Sequence, residues 1–180
     1  FVLFSVFLLT YNGNIVRKRV DFTGCVILMA AKKRSGGKGL RIAVIDGQGG
    51  GIGRVIVEKL RKEMGDSCEI IGLGTNSIAT SLMLRAGANE GATGENAVIK
   101  SVAGVDVITG SLAILAANSY LGELTPGMAE AIASSGAIKL LIPLNRYKIE
   151  VPGTIDEPLP IQVDYLVTRI RQIYEQTFLK

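Results

Sequence analysis

A chain of 180 residues is about one domain long, its 48% hydrophobic content suffices for a sizeable core, and the absence of histidine excludes Ser-His-Asp and Cys-His catalytic sites. Two cysteines, Cys25 and Cys68, with no CxxC pair argue against a structural zinc site and against a disulfide framework. The net charge of +4 is unevenly placed: residues 1–38 carry seven Lys/Arg against Asp21 alone, while the remainder holds 13 basic and 15 acidic residues, so no nucleic-acid partner is expected.

The first apolar stretch, Val2 to Leu9, is far short of the roughly 20 residues that span a bilayer. It also lacks a basic region before it and an A-x-A cleavage site after it, so neither a signal peptide nor a membrane partner is expected. Met29 opens "MAAKKRSGGKG", which has the composition of a cytosolic N-terminus with a flexible tail. Residues 1–40 are therefore expected to be a leader, disordered or translated from a misassigned start, with a membrane-associating segment as the alternative. Residues 41–180 are expected to form a single cytoplasmic domain.

From Arg41 the pattern is regular. "RIAVID" predicts a buried strand, and "GIGRVIVEKLRKEM" repeats apolar residues at helical spacing, with Arg54, Glu58 and Arg61 on the wet side. "CEIIGLG" predicts a second strand, with Cys68 as a small buried hydrophobe. "NSIATSLMLRAG" predicts a helix capped by Asn76 and stopped by Gly87. The polar, glycine-rich "GANEGATGEN", residues 87–96, reads as a loop that closes over a site as a lid, or as an ordinary solvated connection. "VDVITG" is a third strand, and Asn118 in "ANSYLGE" a polar group at a helix end. Thr125, Pro126 and Gly136 bracket the next helix. "IKLLIPL" is a fourth strand, "YKIEV" a fifth, and "PIQVDYLVTRIRQIYEQTF" a long amphipathic helix. Strands alternating with helices, the strands apolar on both faces, predict a Rossmann-like open parallel α/β sheet with helices on both faces, in three layers.

The glycines of "AVIDGQGGGIGR" fall where the first strand turns into the first helix. There the helix amides lack intrahelical partners, and bare backbone lets a phosphate approach. Three strand ends offer candidate ligand contacts: Asp46, Gly47, Gln48, Gly49, Gly50, Gly51, Ile52 and Gly53 after the first, Thr75 and Asn76 after the second, and Gly110 at the third. Ser111, Asn145 and Arg146 share that rim. Among acids, Asp46, Glu95 and Glu123 are candidates for acid/base or metal work. Asp46 either holds Mg²⁺ against a phosphate or ties the turn through backbone N–H groups. The expected partner is a small phosphate-bearing ligand. With Thr75 and Asn76 in place of a carboxylate at the second strand's end, NADP or a mononucleotide is favoured over NAD. A second copy of the chain, in a homo-oligomer, is the other partner considered.

The spacing Gly47-xxx-Gly51-x-Gly53 resembles the TGxxxGIG turn of short-chain dehydrogenases, with Asp46 in place of threonine, but no YxxxK proton relay occurs. Ile52 stands where GxGxxG requires its third glycine, and no Lys-Ser/Thr follows to make a Walker A loop. Residues 41–80 are similar to the first segment of tubulin-like cell-division GTPases, without their later GGGTGTG loop. Taken together, "RIAVIDGQGGGIG", "GTNSIATSLMLRAGAN", "GATGEN", "ANSYLGELTP" and "IPLNR" resemble a small bacterial family characterised only as a domain of unknown function. That resemblance implies a self-contained unit and transfers no catalytic residue. Three readings stay open: a nucleotide-binding module without chemistry, a small NADP-dependent oxidoreductase, and an interaction or scaffold domain whose glycines serve packing alone.

Overall fold

The computed structural model describes residues 7–11, 14–18, 39–144 and 149–179. The chain divides into two compact units, Phe1–Lys33 and Arg34–Lys180. In the first, β1 (Phe7–Tyr11) and β2 (Asn14–Lys18) pair antiparallel, Phe7 opposite Lys18 and Tyr11 opposite Asn14. The other leader residues, Cys25 and Met29 among them, lie outside the described residues.

The second unit begins with β3 (Leu40–Asp46), whose alternating side chains feed two cores: Leu40, Ile42 and Val44 enter one, Ala43 and Ile45 the other. Helix α1 (Gly51–Met64) buries Ile56, Val57, Leu60 and Met64, while Arg54 and Glu58 pair on its exposed side at 3.0 Å. Then come β4 (Cys68–Gly74), α2 (Ser77–Arg85), β5 (Glu90–Thr93), α3 (Glu95–Val102), β6 (Val107–Ser111), α4 (Pro126–Ser134), β7 (Ile138–Ile142) and α5 (Leu159–Phe178). The caps are those expected: Asn76 Oδ1 accepts from the Ala79 amide at 2.9 Å, and Thr125 Oγ1 from the Met128 amide at 3.2 Å. Gly87, at φ +107°, takes the left-handed conformation that stops α2.

The five strands are parallel in the order β5-β4-β3-β6-β7. Buried residues of α1 and α5, with Met83 of α2, pack on one face against Ile42, Val44, Ile70 and Val107. Val98 and Val102 of α3 and Met128, Ala129 and Ile132 of α4 pack on the other, against Ala43, Ile45, Leu73 and Ile108. Burial of one such aliphatic side chain contributes roughly 1.5 to 3 kcal/mol, so both faces are needed to hold the sheet. Cys68 lies in the first core, and burial pushes its thiol pKa up, as suits a small hydrophobe. Among the described residues no helix is long and apolar enough to cross a membrane.

Two expectations are corrected. Residues 87–96 are no lid: Glu90–Thr93 form the edge strand β5 on β4, the Asn89 amide donates to Ile70 O at 2.8 Å, and the Gly94 amide donates to Gly74 O at 2.9 Å. The fifth strand of the sheet is therefore this one and not "YKIEV". Tyr147 and Lys148 of that stretch lie outside the described residues, and residues 149–151 carry no strand.

Candidate functional site

Counted from β3, the strand order is 3-2-1-4-5, so the direction in which successive strands are added to the sheet reverses between β3 and β6. In open α/β sheets the crevice outside the carboxyl ends at such a reversal is where ligands sit. Residues 46–53 stand at that place. Asp46, 3% exposed, ends β3 and folds its carboxylate back over the turn: the Gly47 amide donates to Oδ1 at 2.8 Å and the Gly53 amide to Oδ2 at 2.6 Å. The Gly50 amide donates to Gly47 O at 2.9 Å, which closes a tight turn with Gln48 at φ +47° and Gly50 at φ +65°. Gly50, at the N-cap of helix α1, has no side chain to offer, and the Asp46 carboxylate serves the first turn in its place. The helix's Gly53 amide goes to Asp46 and its Arg54 amide to Gly50 O, which leaves those of Gly51 and Ile52 at the open end of the dipole. Of the two roles foreseen for Asp46, tying the turn is the one its geometry performs.

The loop after β4 is fastened to this turn. The Thr75 amide donates to Asp46 O at 3.0 Å, and Asn76 Nδ2 donates to Gln48 O at 2.9 Å. Glu123, arriving from the loop before α4, joins both: its Oε2 accepts from the Gln48 amide at 2.9 Å, Thr75 Oγ1 at 2.6 Å and Asn76 Nδ2 at 2.8 Å. The end of β4 thus has a carboxylate after all, supplied from elsewhere in the chain. A preference for the 2′-phosphate of NADP no longer follows there, because that preference required no negative charge at this end.

Burial pushes the Glu123 carboxyl pKa up, but the hydrogen bonds from Thr75, the Gln48 amide and Asn76 outweigh it, and the net displacement is downward. A folded-state value below the unfolded one means that ionised Glu123 adds stability above the ordinary carboxylate range. That contribution is lost as pH falls through the folded value. Unfolding midpoints measured from about pH 7 down to about pH 3 are therefore expected to drop less steeply for Glu123→Gln than for the parent. Equal slopes would mean that the three hydrogen bonds do not favour the ionised form.

The glycines divide by what a side chain would meet. A Cβ on Gly47 would lie 2.4 Å from Thr75 Oγ1 and 2.8 Å from the Tyr120 ring. On Gly50 it would lie 2.6 Å from Ala79 Cα, on Gly53 2.8 Å from both Asp46 Cβ and Met83 Sδ, and on Gly110 2.4 Å from Ile45 O. Packing alone explains these four. Gly49 and Gly51 have nothing within 4 Å of a Cβ, and neither has a positive φ.

Other candidates fall into place around this cluster. Ile52 is partly buried against the α1 core, and Ser111 Oγ shares a 2.8 Å hydrogen bond with Tyr120 OH. Glu95 accepts from Thr125 Oγ1 at 2.5 Å, at the start of α4. Asn118 directly precedes the cap of a short 3-10 helix, Tyr120–Gly122, and takes a left-handed turn conformation at φ +64°, its amide donating to Leu124 O at 2.8 Å. Asn145 and Arg146 lie outside the described residues. Among the described residues no group of three His, Cys, Asp or Glu side chains converges as a metal site would require. Tyr120, whose ring covers Gly47, had no sequence signal beyond its place in "ANSYLGE".

Five parallel strands in this order, covered on both faces by helices, make the second unit a three-layer α/β domain of the Rossmann-like type. The family model described as Domain of unknown function (DUF3842) matches residues 41–175, and the chain belongs to that family. No curated protein and no solved structure matches it.

Proposed function

We propose that the domain is a binding module for a small phosphate-bearing ligand, seated on the turn 47–53 at the reversal of the sheet. The observation that carries this reading is the pair Gly49 and Gly51. Glycine raises the conformational entropy lost on folding, and here neither packing nor a left-handed φ requires it. A close approach of something outside the chain accounts for the bare backbone, and the open amides of Gly51 and Ile52 suit an anion. No group in the turn is placed as a general base, since both oxygens of Asp46 are engaged with backbone amides. Binding is therefore the whole of the function assigned.

Thermal unfolding in the presence of pyrophosphate, AMP, ATP, GTP, FMN, NAD and NADP tests the reading. A mononucleotide is expected to act more strongly than NADP, and a ligand at about 100 times its dissociation constant adds roughly 2.7 kcal/mol. Gly51→Val is expected to keep the fold within about 1 kcal/mol, because its side chain meets open space, and to lose binding at least roughly tenfold. If no compound moves the midpoint, or if Gly51→Val binds as the parent does, the reading is wrong.

A further inference from the structure

The chain between β6 and α4 crosses in front of the crevice under evident constraint. Asn118, Tyr120 and Leu121 take φ values of +64°, +57° and +59°, a left-handed conformation that residues with a side chain rarely adopt. Leu121 is 90% exposed, so burial of its own side chain does not offset the strain. The segment is held down by its contacts: Tyr120 OH with Ser111 Oγ, Ser119 Oγ donating to Ala113 O at 2.8 Å, and Glu123 on the two facing loops. One oxygen of Glu123 gathers a backbone amide, a hydroxyl and a side-chain amide from two separate loops, which is the donor set a phosphate oxygen would use.

We infer that residues 121–123, between the core residues Tyr120 and Leu124, form a self-inhibitory strap, in which the Glu123 carboxylate occupies the seat of an anionic ligand and must leave for that ligand to enter. The inference rests on the phosphate-binding reading above. Two anions cannot share these three donors, so a phosphate on Gln48 N, Thr75 Oγ1 and Asn76 Nδ2 displaces Glu123 and swings the strap outward. The left-handed, exposed Leu121 favours that opening, since release returns it to an ordinary conformation, while Tyr120 and Leu124 stay anchored in the core. The apparent affinity of the full chain is then its intrinsic affinity reduced by the fraction of molecules with the strap open.

Calorimetric titration of the full chain with inorganic pyrophosphate, using the parent, Glu123→Gln, Glu123→Ala and Gly51→Val, tests this. Glu123→Gln keeps the shape and a neutral acceptor, so it reports even if Glu123→Ala does not fold. Glu123→Gln is expected to bind roughly tenfold more tightly than the parent, as for an open fraction near one tenth. Saturating pyrophosphate is expected to speed hydrogen exchange at the parent's Glu123 amide, which donates to Tyr120 O at 3.3 Å when the strap is closed. Equal or weaker binding by Glu123→Gln overturns the strap. If in that case the parent binds and Gly51→Val does not, the binding reading survives without it. If neither the parent nor Glu123→Gln binds, both fall.

Discussion

Asp46→Asn is expected to destabilise the domain by about 2 to 4 kcal/mol, the cost of leaving a buried backbone donor unsatisfied with some loss of a charge-assisted bond. The carboxylate accepts two amides at once, Gly47 on one oxygen and Gly53 on the other. Asparagine has one acceptor oxygen and an NH₂ that can only donate, so its NH₂ must face one of these N–H groups. The midpoint of thermal unfolding should fall by roughly 5 to 15 °C. A fall of only a degree or two would show that the turn rearranges to satisfy both amides without the carboxylate.

Gly110→Ala is expected to cost about 3 kcal/mol or more, near the upper end for overpacking. Gly110 pairs with Ile45 across β3 and β6, and a Cβ there would stand 2.4 Å from Ile45 O. That oxygen belongs to a central strand and cannot turn aside as a flexible side chain does, so the strands must separate at the crevice. Denaturant unfolding of the variant against Gly51→Ala, whose Cβ meets nothing, isolates the effect. Comparable midpoints for the two would mean that the sheet yields at its centre without cost.

The central elements were legible because their apolar residues follow a period that local geometry imposes. β3 and β4 carry apolar runs at 42–45 and 70–73 just ahead of glycine turns, and α1 repeats Ile56, Leu60 and Met64 at four-residue intervals. β5 was not, for a physical reason: "EGAT" has no apolar run, sits at the edge and pairs with β4 alone. Helix α3 does carry a signal in Val98 and Val102, four residues apart, but its first turn emerges from the glycine-rich stretch that masked it. The glycine turn was visible in the sequence as a cluster, while its division into packing glycines and open ones depends on what Ala79, Met83, Tyr120 and Ile45 bring near it. Glu123 shows the limit most clearly. It meets Thr75 across 48 residues and Gln48 across 75, and no local pattern encodes such a meeting.

The carboxylate of Asp46 joins Gly47 to Gly53 and so closes the turn into a ring anchored at both ends. Ordering a free loop costs about 1 to 2 kcal/mol per residue in backbone entropy, and a flexible arch of this length would charge that cost to every molecule it captured. Here folding has already settled it. A ligand seated there as proposed would lose little of its binding free energy to organising the turn, and the motion accompanying its binding would be confined to the strap.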